Sequence, residues 1–177
     1  MTSADVGALA AAFANGNENR LIEELRKVSS QRSRREARIA LVARILEQTG
    51  SPKVRNAAAL ALADMRARDA TEDLVRLLRR NDTKGYRGTL LYALEQLDAA
   101  LPASLLVEII TEDAYESREE ALSFIARGKF DRDQDPRRLQ RRLTEALESA
   151  DEERAHAINV ALEFLSGDGP GEIRGAD

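Results

Sequence analysis

Three arginines recur in one setting, and a repeated guanidinium is the first group in this chain whose chemistry asks for an explanation. Val54-Arg55-Asn56-Ala57-Ala58-Ala59-Leu60-Ala61-Leu62 aligns with Tyr86-Arg87-Gly88-Thr89-Leu90-Leu91-Tyr92-Ala93-Leu94. Both align with Ser117-Arg118-Glu119-Glu120-Ala121-Leu122-Ser123-Phe124-Ile125. The arginines stand 32 and then 31 residues apart. A planar fork of donors repeated at such spacing could serve as an anion-binding ladder.

Other reactive groups give less. Glu119-Glu120 and Glu152-Glu153 are paired carboxylates, the raw material of general acid–base work. Neighbours on a helix diverge by about 100°, so neither pair faces one substrate easily. Acids at a helix start also have a simpler explanation in the positive N-terminal end of the helix dipole. His156 is the one histidine and cysteine is absent. Zinc needs three or four N, S or O ligands, so no metal site is expected. Thiol chemistry and disulfides are excluded. The chain has no phosphate loop, nucleophile elbow or dinucleotide fingerprint, and Gly85-x-x-Gly88 is too short to count as one. These residues predict neither an enzyme nor a cofactor.

Composition bounds the rest. The 177 residues are 43% hydrophobic, much of it alanine, and 4% aromatic. Small side chains at that density suit closely packed helices, whereas a sandwich of strands would need β-branched and aromatic residues. Charged residues make up 33%, which fits many helices that each show one face to water. The net charge is −4, but residues 1–88 hold 17 basic and 11 acidic side chains, against 10 and 20 in residues 89–177. One half is therefore basic and the other acidic, which bears on association. The apolar run at Leu9 to Phe13 lacks a basic start, and no stretch is long enough to cross a membrane. A cytoplasmic location is the expectation.

The elements that would carry these residues follow from periodicity. Counted from each repeated arginine, positions +3, +4, +6 and +7 are apolar, which places them on one helical face. Looser copies start at Arg35 and Arg154. A second helix follows each of the three close copies: Thr71 to Arg80, Pro102 to Glu112 and Pro136 to Ser149. Ser51-Pro52 and Asp135-Pro136 are helix starts, and Gly50 can end the helix before. Asn17, Thr71, Asp82 and Asp151 are further cap candidates, and Ser33 with Glu36 has capping-box spacing. Gly128 closes a helix that begins near Tyr115, and Lys129 to Gln134 reads as a polar loop. Two shorter helices are expected at about 3–14 and 18–28, and a Gly-rich disordered tail at 166–177. The whole of 1–165 reads as one domain, less regular over 1–48 and repetitive over 52–165.

The Val-Arg-x-x-Ala-x-x-Ala-Leu pattern, followed by a Leu-x-x-Leu-Leu helix ending in Asp, resembles the HEAT repeat family. It is most like the short variety of bilin-lyase-like bacterial proteins. The resemblance implies an all-α, right-handed α-solenoid of stacked antiparallel helix pairs, about nine or ten helices in all. It also implies that Asp82 and Arg87, and Asp113 and Arg118, lie near inter-repeat turns and bond each other or loop carbonyls. Arg55 has Gly50 at that offset and no evident partner. The iron-binding HEAT hydroxylases need several His-Glu pairs, which this chain lacks. In HEAT-like stacks the second helices line the concave surface, which implies a partner site of three patches: Arg76, Arg79 and Arg80; Glu108, Thr111 and Glu112; Arg138, Arg141 and Arg142. The expected function is a scaffold that binds another protein there. Nucleic acid is the alternative occupant, opposed by the negative net charge and the lack of Trp. A bilin-lyase-like subunit is the second alternative. Oligomeric state is left open, because the ends of such a stack expose apolar faces unless capped.

Overall fold

Alanine decides how the arginine-bearing helices pack. Ala58, Ala61, Ala93 and Ala121 are all buried, and side chains this small let packed helices approach closely. The computed structural model describes residues 4–30 and 34–166. Among these, ten α-helices run in chain order: α1 Ala4–Ala14, α2 Glu18–Val28, α3 Arg35–Gln48, α4 Pro52–Asp64, α5 Thr71–Leu78, α6 Gly88–Gln96, α7 Ala103–Glu112, α8 Tyr115–Ala126, α9 Pro136–Leu147 and α10 Glu152–Ser166. The all-α helical-repeat class is therefore the one the sequence led us to expect. Ser33 and residues 167–177, where a capping box and a disordered tail were expected, lie outside the described residues.

The chain forms two compact units. The first is Met1–Thr83 with Thr89–Ala99, and the second is Lys84–Gly88 with Ala100–Asp177. In the first, α2 and α3 both pack on α4, α1 packs on α2 and α3, and α3 also meets α5. Leu25, Val42, Ile45, Leu62 and Leu74 are buried there. In the second, α7 packs on α8 and α9, and α10 packs on all three. Leu106, Ile109, Phe124, Leu143 and Ile158 are buried there.

Four of the ten described helix starts follow from side-chain caps. The Asn17 side chain accepts from Arg20 N at 3.1 Å, and Ser51 Oγ accepts from Val54 N at 3.3 Å. Asp135 accepts from Arg137 N at 3.0 Å and Asp151 from Arg154 N at 2.8 Å. Each bond satisfies one of the orphan donors of a first turn. Thr71 and Asp82 do not cap. Thr71 is the first residue of α5, entered through a 3-10 turn at Arg68–Ala70, and Asp82 lies in a second 3-10 turn at Asn81–Thr83. Nor is Lys129 to Gln134 wholly loop. Phe130–Asp131 (β2) pairs in parallel with Leu101–Pro102 (β1), which ties the entry of α7 to the exit of α8.

The arginine-bearing helices α4, α6 and α8 share an ending that only one glycine signals. Arg66, Asp98 and Gly128 all adopt left-handed backbone, with φ of 50°, 60° and 65°. The next residue donates back to the helix each time: Ala67 N to Leu62 O at 3.0 Å, Ala99 N to Leu94 O at 3.1 Å, and Lys129 N to Phe124 O at 2.9 Å. This is the Schellman closure, which normally puts glycine at the left-handed position.

Candidate functional site

The repeated arginines are buried, so their chemistry is internal. Arg55, Arg87 and Arg118 are all at most 4% exposed. They do bond acids, but in a different register from the one expected. Asp82 pairs with Arg55 at 3.8 Å, not with Arg87, and Asp113 pairs with Arg87 at 3.6 Å, not with Arg118. Arg118 approaches Glu153 at 3.7 Å. Each arginine thus reaches forward along the chain, and the aspartate five residues upstream faces the arginine of the preceding copy. That supplies the missing partner of Arg55. Two upstream arginines use carbonyls instead: Arg38 donates to Val28 O at 2.5 Å, and Arg35 to Met65 O at 2.6 Å and Arg66 O at 3.1 Å.

Arg87 also departs from the pattern in its backbone. Arg55 and Arg118 lie inside α4 and α8, whereas Arg87 precedes the first residue of α6. Of the two flanking glycines, Gly85 is the one this backbone requires. Gly85 has a φ of 80°, which a side chain would strain, and Gly88 lies against the α8 start, where an added Cβ would be 3.6 Å from Glu116 Cβ. The close approach lets Arg87 N donate to the buried Ser117 hydroxyl at 3.1 Å.

The nine surface residues proposed from the sequence sort into spent and available charges. In the first unit, Arg76 pairs with Asp73, and Arg80 grips Asp82 with two hydrogen bonds of 2.8 and 2.7 Å. The Arg80 pair holds the Asp82 carboxyl below its ordinary value and raises the guanidinium. Arg79 is exposed and has no ion pair among the described residues. In the second unit, Glu108 accepts from Arg87 at 3.0 Å and lies 3.7 Å from Lys84. Glu112 binds Lys84 at 3.1 Å and Arg142 at 2.6 Å. Burial pushes the Glu112 carboxyl up, but the hydrogen bonds and charges of Lys84 and Arg142 overcome it and leave it lowered. The Lys84 ammonium is raised, chiefly by its hydrogen bond to Glu112. Thr111 donates to the Val107 and Glu108 carbonyls of its own helix, at 2.9 and 3.1 Å. Arg142, Glu112, Lys84, Glu108, Arg87 and Asp113 therefore form one network of balanced charge. Arg138 and Arg141 are exposed on α9 and have no ion pair among the described residues.

Two clefts were not foreseen. In the second unit, Glu119 from α8 and Glu152, Glu153 and His156 from α10 line a cleft of about 820 Å³ with Tyr115. Adjacency along the sequence pairs Glu119 with Glu120, but packing sets it beside Glu152 and Glu153. The described residues contain no group of three or more acidic, His or Cys side chains arranged to hold a metal ion. In the first unit, a cleft of about 360 Å³ lies between α4 and α6. No described helix is long and apolar enough to cross a membrane.

A protein-family model described as HEAT repeats matches residues 39–126, the span that holds all three arginine motifs. No curated protein and no solved structure matches the chain.

Proposed function

The chain belongs to the HEAT-repeat family, and from that premise we propose that it is a cytoplasmic, non-catalytic scaffold binding other proteins through exposed arginines of each unit, Arg79 just after α5 in the first and Arg138 and Arg141 on α9 in the second. HEAT repeats commonly serve as protein-interaction scaffolds. The observation that carries the reading is the division of the arginines. Arg76, Arg80 and Arg142 are engaged by acids of their own unit, whereas Arg79, Arg138 and Arg141 are exposed without one. An engaged guanidinium must give up its own carboxylate before it takes a partner's. An unengaged one offers its donors at once, and charge-assisted bidentate bonds are among the stronger polar contacts. Unengaged arginines also speed encounter with an acidic surface and set its register.

The test is the full chain carrying Arg79→Glu, Arg138→Glu and Arg141→Glu together, used as bait beside the wild type in co-purification with mass spectrometry. These positions are exposed, so circular dichroism should match the wild type. The expected result is loss of the proteins that wild type recovers. Equal recovery by both baits refutes the face assignment.

One observation favours nucleic acid as a second reading: Arg137, Arg138 and Arg141 are all exposed along α9, where they could contact phosphates. The net charge of −4 and the absence of Trp weigh against it. A gel shift at low salt separates the readings, since tight binding that weakens steeply with salt would replace the protein partner.

A further inference from the structure

Leu60, Tyr86, Tyr92 and Tyr115 are the large apolar side chains left exposed among the described residues, and all four belong to arginine-motif segments or to the start of a motif helix. None lies on α5, α7 or α9. Scattered apolar side chains need no explanation, but two that share one concave surface do. Leu60 on α4 and Tyr92 on α6 line the cleft of about 360 Å³ in the first unit, with the buried Leu97 beneath. Asp64, Arg66, Arg68 and Gln96 form its polar lining. Neither guanidinium has an ion pair among the described residues, so the charge balance of the cleft is positive.

Arg66 adds a second observation. It occupies the left-handed closing position of α4, which favours glycine. The turn is clamped from within by Arg66 N donating to Ala63 O at 2.8 Å, and from outside by Arg35 donating to Met65 O and Arg66 O. Backbone strain held in place by its surroundings clusters where a side chain has work to do. Here the strained residue places a guanidinium in the lining of a mainly polar cleft that also presents Leu60 and Tyr92.

We propose that this cleft docks an acidic peptide segment of a partner protein. One aromatic or branched apolar side chain of the segment sits against Leu60, Tyr92 and Leu97. Carboxylates flanking that side chain bond Arg66 and Arg68. The charge complementarity disfavours a basic segment, which would meet two unpaired arginines against the one carboxylate of Asp64. This surface lies on α4, α6 and the turn after α4, and does not depend on Arg79, Arg138 or Arg141.

Fluorescence anisotropy on the full chain tests it with three labelled peptides: glutamates around a Leu-Phe centre, glutamates around an Ala-Ala centre, and lysines around a Leu-Phe centre. The first should bind, and the other two should bind at least about tenfold more weakly, a difference of about 1.4 kcal/mol. Tyr92→Ala and Arg68→Glu, both at exposed positions, should each weaken the first peptide about tenfold with unchanged circular dichroism. Arg66→Gly should weaken it while leaving the melting temperature unchanged or higher. The triple variant at Arg79, Arg138 and Arg141 should bind it like wild type, which separates this site from the scaffold face. No binding of the first peptide, equal binding of the lysine peptide, or indifference to both Tyr92→Ala and Arg68→Glu overturns the proposal.

Discussion

Arg55–Asp82 in the first unit and Arg87–Asp113 in the second are the same pair by position in the repeat, yet they differ physically. Both arginines are almost wholly buried, but the Asp82 side chain is 50% exposed and that of Asp113 only 1%. Asp82 has a second, bidentate arginine in Arg80, whereas Asp113 has Glu108 and Glu112 close by. The carboxyls shift in opposite directions. The Arg80 hydrogen bond lowers Asp82, while burial raises Asp113 against the pull of Arg87. Burial also lowers the Arg55 guanidinium, despite Asp82. A repeat motif thus fixes which residues meet, and the burial of the acid decides what the meeting is worth.

The largest effect should come from removing the arginines one at a time. Arg87→Met leaves Asp113 buried without its cation and Glu108 without its hydrogen bond, which should cost about 3–5 kcal/mol. Arg55→Met leaves Asp82 half in water and still held by Arg80. Each change also removes two guanidinium nitrogens buried without hydrogen-bond partners, Nε and Nη2 of Arg55 or Nε and Nη1 of Arg87, so the contrast rests on the acid. The cost of Arg55→Met should stay under about 1 kcal/mol, because the carboxylate it leaves behind keeps water and Arg80 as partners. Urea unfolding of the two variants measures the contrast. Equal losses would mean that the exposure of the acid is irrelevant.

Acid pH should separate the two aspartates next. The unfolded value of each is about 4. Asp82 is lower when folded, so its stabilisation is full above that value and disappears as pH falls through the lower folded one. Asp113 is higher when folded. As pH rises past about 4 the unfolded chain loses its proton first, the folded chain holds the extra one, and stability declines until pH passes the raised value. In melting curves against pH, Asp82→Asn should reduce the loss on the acid side, and Asp113→Asn should remove the decline above it. Shifts of the same sign in both variants would break the contrast.

How far the sequence reaches depends on the range of each interaction. Asn17, Ser51, Asp135 and Asp151 cap as expected because a cap bonds a backbone N–H two or three residues ahead. The helical faces were legible because periodicity is local. The partners of the repeated arginines were not, because the acid comes from the following copy, while an aspartate five residues upstream offers a nearer and misleading choice. The division of surface charges was hidden for the same reason. Glu112 looks like an open carboxylate until Lys84 and Arg142 arrive from distant positions in the chain. The left-handed turns escaped because glycine is their usual sign and only Gly128 carries it.

Those turns give the smallest and cleanest contrast between the units. The first unit closes two motif helices on Arg66 and Asp98, and the second closes one on Gly128. Gly128→Ala places a Cβ that meets no heavy atom within 4 Å, so its cost is backbone strain alone, about 1 kcal/mol. Arg66→Gly runs the exchange in reverse and should gain a similar amount, raising the melting temperature by about 2–4 °C. Asp98→Gly should fall below Arg66→Gly, because aspartate enters the left-handed region more readily than arginine and its side chain has interactions to lose. Thermal melts of the three variants rank them. A lower melting temperature for Arg66→Gly would mean that its side chain holds the fold together, which removes the reason for reading its strain as serving a ligand.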